Sequence, residues 1–155
     1  MNTHGPASVV FRNVTKAYGP VKAVDAISFT IEPGQLVTLL GPSGCGKTTT
    51  LRLIAGLEMA TEGQITIGER DVTRFSAADR DVSMVFQSYA LFPHMSVIEN
   101  VAYGPSVSGI KKAQAEQMAA EKLSLVGLTG FEQRLPSELS GGQQQRVAVA
   151  RALVV

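Results

Sequence analysis

What most constrains the fold of this chain is the octapeptide Gly41-Pro42-Ser43-Gly44-Cys45-Gly46-Lys47-Thr48, placed directly after the apolar run Leu36-Val37-Thr38-Leu39-Leu40. It fits the pattern G-x-x-x-x-G-K-[ST]. Glycines let the backbone curl until successive N–H groups point at one anion, and a helix beginning there adds its positive end. The preceding run, nearly all apolar, predicts a strand buried on both faces of a parallel sheet. The residues from Thr48 to Ala55 read as a helix. Strand, glycine loop and helix are the context the pattern needs. In that context Lys47 reaches the β- and γ-phosphates of a nucleotide, and the Thr48 hydroxyl ligates Mg²⁺. Cys45 reads as a small residue that fits the loop. An adduct on its sulfur would occupy phosphate space, so alkylation is expected to block nucleotide binding.

Around this loop the chain changes texture. Val9-Val10-Phe11 begins one strand, and Ala26 to Ile31 alternates with the period of a half-buried second one. Glu32-Pro33-Gly34 makes a turn. Ile65-Thr66-Ile67 and Val82 to Phe86 predict further strands. After Gln87 helical signals take over. Ser96-Val97-Ile98-Glu99 has the spacing of a capping box and opens a helix towards Tyr103. Ile110 to Val126 is rich in strong helix formers, carries Met118, Leu123 and Val126 as an apolar stripe, and stops at Gly127. A last helix runs from about Gly142 to the end. Strands first and helices later predict an α/β core with a separate helical lobe.

Composition narrows the function. The 155 residues suit one sizeable core, and 45% hydrophobic with 17% charged residues excludes a disordered or solvating segment. Fourteen basic against 13 acidic residues, net +1, lack the basic excess of a nucleic-acid binder. No stretch approaches the roughly 20 apolar residues of a membrane span. Met1 to Asn13 shows no basic head followed by an apolar run, so no secretory signal is expected. A single cysteine gives no internal disulfide framework, in keeping with a reducing cytoplasm. His94 has no neighbouring Cys or His to complete a metal site, and the mixed charges from Lys111 to Lys122 read as a solvated helix face.

A second glycine motif, Leu139-Ser140-Gly141-Gly142-Gln143, starts the last helix. Ser140 and Gln143 have capping-box spacing, and two glycines in the first turn bare the backbone amides to an anion. With both motifs in this order, the sequence resembles the ATP-binding-cassette family of transporter ATPases over essentially all of residues 9–155. Gly41 to Thr48 resembles the Walker A loop, whose neighbour Thr49 joins the nucleotide-binding set. Leu139 to Gln143 resembles the signature motif. Gln87, after an apolar strand, resembles the glutamine that contacts Mg²⁺ and the attacking water. Tyr18, in Lys16-Ala17-Tyr18-Gly19, resembles the aromatic that stacks on adenine.

The resemblance implies a P-loop NTPase (RecA-like) α/β core with an N-terminal antiparallel β-subdomain and an inserted helical subdomain, the core incomplete at the C-terminus. It implies a β-subdomain and loop core over about 1–87, a helical subdomain over about 88–140 and a signature helix over 141–155. It implies ATP and Mg²⁺, and a second ATPase subunit arranged head to tail, so that each ATP lies between the Walker A loop of one copy and the signature motif of the other. Ser88 to Val97 and Glu99 to Gly104 resemble importers for sugars, polyamines, ferric iron, sulfate and phosphonates. In those importers the helical lobe receives a helix of a membrane permease subunit, and a substrate-binding protein delivers the solute. Tyr89, Leu91, Phe92 and Met95 are split between that contact and the lobe's own core. The location implied is the cytoplasmic face of the membrane, with no nucleic-acid partner.

The family continues to an apolar strand ending in Asp-Glu and then to a histidine. Here the apolar strands end in Gly68 or Gln87. Without those carboxylates the chain is expected to hydrolyse ATP poorly, the Leu36–Leu40 strand to lose neighbours, and an exposed apolar edge to favour aggregation. Two other functions compete with the importer ATPase: a soluble cassette ATPase of DNA repair or translation, and a non-catalytic nucleotide-binding remnant.

Overall fold

The computed structural model describes residues 5–154, so Met1 to His4 and Val155, at the two ends of the sequence reading, lie outside the described residues. Two compact units divide after Val82. In the first, β1 (Val9–Tyr18) and β2 (Val21–Ile31) form a hairpin. Gly19, in the left-handed region, and Pro20 make its turn. A further strand, β3 (Glu62–Ile67), pairs with the other edge of β1, and the two-residue β4 (Arg70–Asp71) pairs with β3. The sheet order is β2-β1-β3-β4, and every pairing is antiparallel. α1 (Lys47–Ala55) starts immediately after the glycine loop. The core of the unit is Phe11, Val14, Val24, Leu53, Ala60, Ile65 and Val72. Phe11 stacks on Phe29 with ring centroids 4.5 Å apart.

The second unit is helical. α2 (Val97–Val107), α3 (Lys112–Leu125) and α4 (Gly141–Leu153) pack on one another around Val97, Val101, Leu123, Leu128, Val147 and Ala150. The capping boxes expected at Ser96/Glu99 and Ser140/Gln143 are both present. Both rest on contacts three residues apart, and such contacts form wherever the helix forms. On α3 the fully buried positions are Ala115, Ala119 and Leu123, while Met118 and Val126 pack at the margin. Small side chains let α3 approach its neighbours closely, so the buried stripe is finer than the apolar pattern suggested.

Two sequence expectations are corrected. Leu36 to Leu40 and Val82 to Phe86 form no strand. Leu36 is 98% exposed and Leu40 88%. A parallel strand exists only through its neighbours' ladders, and among the described residues none is offered to either segment. The described elements are thus an antiparallel β-subdomain with the loop helix α1, and a helical subdomain of α2, α3 and α4.

Candidate nucleotide site

Backbone geometry builds the loop. Gly41, Gly44 and Gly46 all have positive φ (155°, 82° and 91°). At Gly46 no other residue fits: a Cβ there would collide with the Ala23 carbonyl on β2, and the left-handed conformation would strain it further. This close approach seats the start of α1 against the sheet. The Cys45 amide donates to the Pro42 carbonyl (3.4 Å), closing a turn. Lys47 folds back across the loop, and its Nζ donates to the carbonyls of Gly41 and Pro42, each at 2.7 Å. The same Nζ lies 3.5 Å from Cys45 Sγ, which is exposed. The loop thus gathers Gly41, Pro42, Cys45 and Lys47 around one ammonium group, with Ser43 and Gly44 exposed at its crest.

No side chain caps α1. Its first-turn amides therefore keep their capacity for an anion. Thr48 is exposed on this turn, Thr49 is half-buried, and Thr50 is buried with its Oγ1 donating to the Gly46 carbonyl (3.0 Å). A magnesium ion fits this arrangement, because it keeps several waters and takes only one or two protein ligands beside phosphate oxygens. Thr48 carries an exposed hydroxyl on this turn, and no cluster of three His, Cys, Asp or Glu side chains occurs among the described residues.

The other end of α1 is held by a residue that sequence reasoning missed. Arg80 is buried, and its guanidinium donates to the carbonyls of Leu53 and Ile54 (2.9 Å to Ile54), with Nε on the Phe75 carbonyl (3.1 Å). Its Nη2 has no partner among the described residues. A cation on the last carbonyls of α1 complements the helix dipole, whose positive end faces the loop. Burial lowers the pKa of this arginine without threatening its charge. Nothing in the run Ala78-Asp79-Arg80-Asp81 distinguishes this arginine from a surface charge.

Tyr18 ends β1 with 46% of its surface exposed. Lys16 Nζ sits 4.8 Å from its ring centroid, bonds Glu58 (2.9 Å) and donates to the Met59 carbonyl (3.0 Å). Partial burial, followed by the Glu58 carboxylate, raises the Tyr18 phenol above its usual pKa. Glu58 is lowered, first by Lys16 and then by Tyr18. The aromatic is therefore fixed to the segment that follows α1.

In the helical unit, Ser140 Oγ accepts from the Gln143 amide (3.4 Å), and Gln143 Oε1 accepts from the Ser140 amide (2.8 Å). Gly141 and Gly142 are exposed between them. Gln144 donates to the carbonyls of Pro136 (3.0 Å) and Leu139 (3.2 Å), fixing the approach to the motif. Gln87 is exposed in the turn from Phe86 to Tyr89, which the Tyr89 amide closes on the Phe86 carbonyl at 2.9 Å. Asn100 is fully buried and binds Phe92 through both main-chain groups (2.8 and 3.1 Å), as well as the carbonyls of Met95 and Ser96. It holds the Phe92–Ser96 loop, where Leu91 packs on the helical core and Phe92 lies 4.7 Å from the Tyr103 ring. His94 is exposed.

An uncapped helix behind a lysine-filled glycine loop, and a second glycine-started helix on a helical lobe, define a nucleotide-binding cassette. The sequence profile of a family described as ABC transporter matches residues 24–155, and the chain belongs to that family. It is 66% identical over all its 155 residues to the Fe(3+) ions import ATP-binding protein FbpC of Agrobacterium fabrum, covering 44% of that protein. To the protein of the same description from Escherichia coli O157:H7 it is 58% identical over 147 residues, 95% of this chain and 42% of the relative. The chain thus spans less than half the length of these relatives. Among solved structures it resembles a bacterial ABC transporter cassette solved as a dimer (TM-score 0.85, 32% identity, 94% of this chain and 69% of that one). The same cassette in a post-hydrolysis state, bound to ADP and Pi, matches with TM-score 0.85 and 33% identity over the same shares. No helix among the described residues is long and apolar enough to cross a membrane.

Proposed function

We propose that this chain forms the nucleotide-binding part of an ATP-binding subunit that powers import of ferric iron through separate membrane subunits. The observation that carries the reading is the loop itself, where Lys47 folds across the backbone of Gly41 and Pro42 at the uncapped start of α1. On binding, the triphosphate oxygens replace the Gly41 and Pro42 carbonyls as partners of Lys47, and the amides of Gly44 to Thr49 surround them. Thr48 would hold Mg²⁺, which neutralises charge on the phosphates. Tyr18 stacks on the adenine, held in place by Lys16 and Glu58.

Ser140 to Gln143 of a second subunit would close over the same phosphates. Their added amide donors and the exclusion of water make electrostatic stabilisation most effective there. Hydrolysis removes the shared anion and lets the two copies part, a phosphate-biased switch. Half-buried Tyr89, Phe92 and Met95 give the helical unit a face for a permease helix, at the cytoplasmic side of the membrane. A substrate-binding protein supplies the iron. Ferric iron is the cargo named for the relatives that share about two-thirds of this sequence.

The test is uptake of labelled Fe³⁺ by vesicles containing the complete subunit and its membrane partners. ATP-dependent uptake is expected, with Lys47→Ala weakening equilibrium ATP binding about 100-fold. Unchanged ATP affinity in that variant, or purification with ribosomes or DNA in place of membrane subunits, would overturn the reading.

A further inference from the structure

Within the helical unit, the turn that carries Gln87 is bolted to the helix that carries the signature motif. Arg151, near the end of α4, donates Nη2 to the Tyr89 carbonyl (2.9 Å) and Nη1 to the Ala90 carbonyl (2.8 Å). Its guanidinium also lies 5.8 Å from the Phe92 ring centroid. Tyr89 and Ala90 are both left-handed, with φ of 61° and 48°. Two such residues in succession are disfavoured for L-amino acids and persist only where the surroundings hold them. Here the planar fork of one arginine binds the two carbonyls through two separate nitrogens held in fixed geometry.

The same tyrosine reaches the other end of the helix. Its hydroxyl lies 4.0 Å from the point where a Cβ on Gly141 would stand. Gly141 and Arg151 are about 15 Å apart along a helix of this length. Tyr89 therefore accepts a bond from one end of α4 through its carbonyl and brings its hydroxyl near the other. Its amide closes the turn in which Gln87 is the second residue.

We propose that Arg151 is a positioning residue: through Tyr89 and Ala90 it makes the Gln87 turn and the signature helix move as one body. The proposal rests on the reading of Gln87 as a residue that meets the reacting phosphate. A displacement of Gln87 by nucleotide is then carried directly to Ser140–Gln143, and closure over a second nucleotide is carried back to Gln87.

Two readouts on the complete subunit test this. Hydrogen exchange of the Tyr89 amide is expected to speed about tenfold in Arg151→Ala and less in Arg151→Lys, with the Val147–Ala150 amides unchanged. Unchanged exchange at Tyr89 overturns the proposal, and Arg151→Lys decides the matter if the alanine variant does not fold. In ATP turnover with the membrane partners, kcat is expected to fall about tenfold in Arg151→Ala while KM for ATP stays within about twofold. The double variant Gln87→Ala/Arg151→Ala is expected to turn over no more slowly than Gln87→Ala alone. Independent, multiplying losses would overturn the proposal. Absence of turnover in the unsubstituted subunit would instead overturn the reading of function, and the exchange measurement would still decide whether Arg151 holds the turn.

Discussion

Two helices in this molecule begin at glycines, and they begin in opposite ways. α1 follows Gly46, which is left-handed and offers no capping side chain. α4 follows Ser140, extended and capped reciprocally with Gln143. The first start leaves its amides open and relies on the sheet for its position. The second satisfies two orphan groups internally and exposes only the glycine amides between them. The difference teaches that a helix started from a left-handed glycine leaves its amides unsatisfied and depends on its surroundings, whereas a helix with a reciprocal cap fixes its own start.

The largest test of that contrast is Gly46→Ala. Strain at φ 91° and collision with Ala23 should destabilise the β-subdomain by about 3 kcal/mol, read by chemical denaturation. A loss below about 1 kcal/mol would mean the loop is not seated on the sheet at all. Alkylation of Cys45 comes next. Its exposed sulfur beside Lys47 puts any adduct in the loop, and ATP affinity should drop at least about tenfold. Full affinity after stoichiometric labelling would show that the phosphates bypass the sulfur. Ser140→Ala should cost about 1 kcal/mol, confined to the helical unit, because one cap bond is lost while the rest of α4 remains.

The smallest effect is a pH difference between two capping boxes. The box of α2 uses Glu99, whose pKa is lowered by the backbone and then the hydroxyl of Ser96. The box of α4 uses the uncharged Gln143. A carboxylate lowered on folding contributes fully above its unfolded value, here 4.5, and loses that contribution as pH falls through the lower folded value. Protection of the Ser96 amide should therefore decline below about pH 4.5 while that of Ser140 holds. Equal decline at both would show that the two helices fray together.

These two starts also mark how far reading from sequence reached. Gly41 to Thr48, Ser140 to Gln143 and Ser96 to Glu99 declare themselves because their chemistry is local. A cap joins residues three apart, and a glycine loop is shaped by its own dihedrals. Strands at Val9 to Phe11 and Ala26 to Ile31 and the helices α2, α3 and α4 are legible from alternation, capping spacing and composition, whereas the pairing of β1 with β2 is not. The capping residues found in place are those that the spacing named.

Elsewhere the local signal failed. Leu36 to Leu40 has the composition of a central strand, yet it stands exposed, because strand identity is conferred by neighbouring ladders rather than by apolar side chains. Arg80, Asn100 and Arg151 passed unnoticed as ordinary polar residues. Each proves to hold backbone carbonyls, some of them dozens of residues away in sequence. The sequence alone determined where the glycine loop and the capped helix starts lie, since they depend on contiguous residues and their allowed dihedrals. Only the tertiary structure decided which side chains hold those segments in place. A polar group makes such long-range bonds when folding strips away its water, and no spacing along the chain records which groups will be stripped.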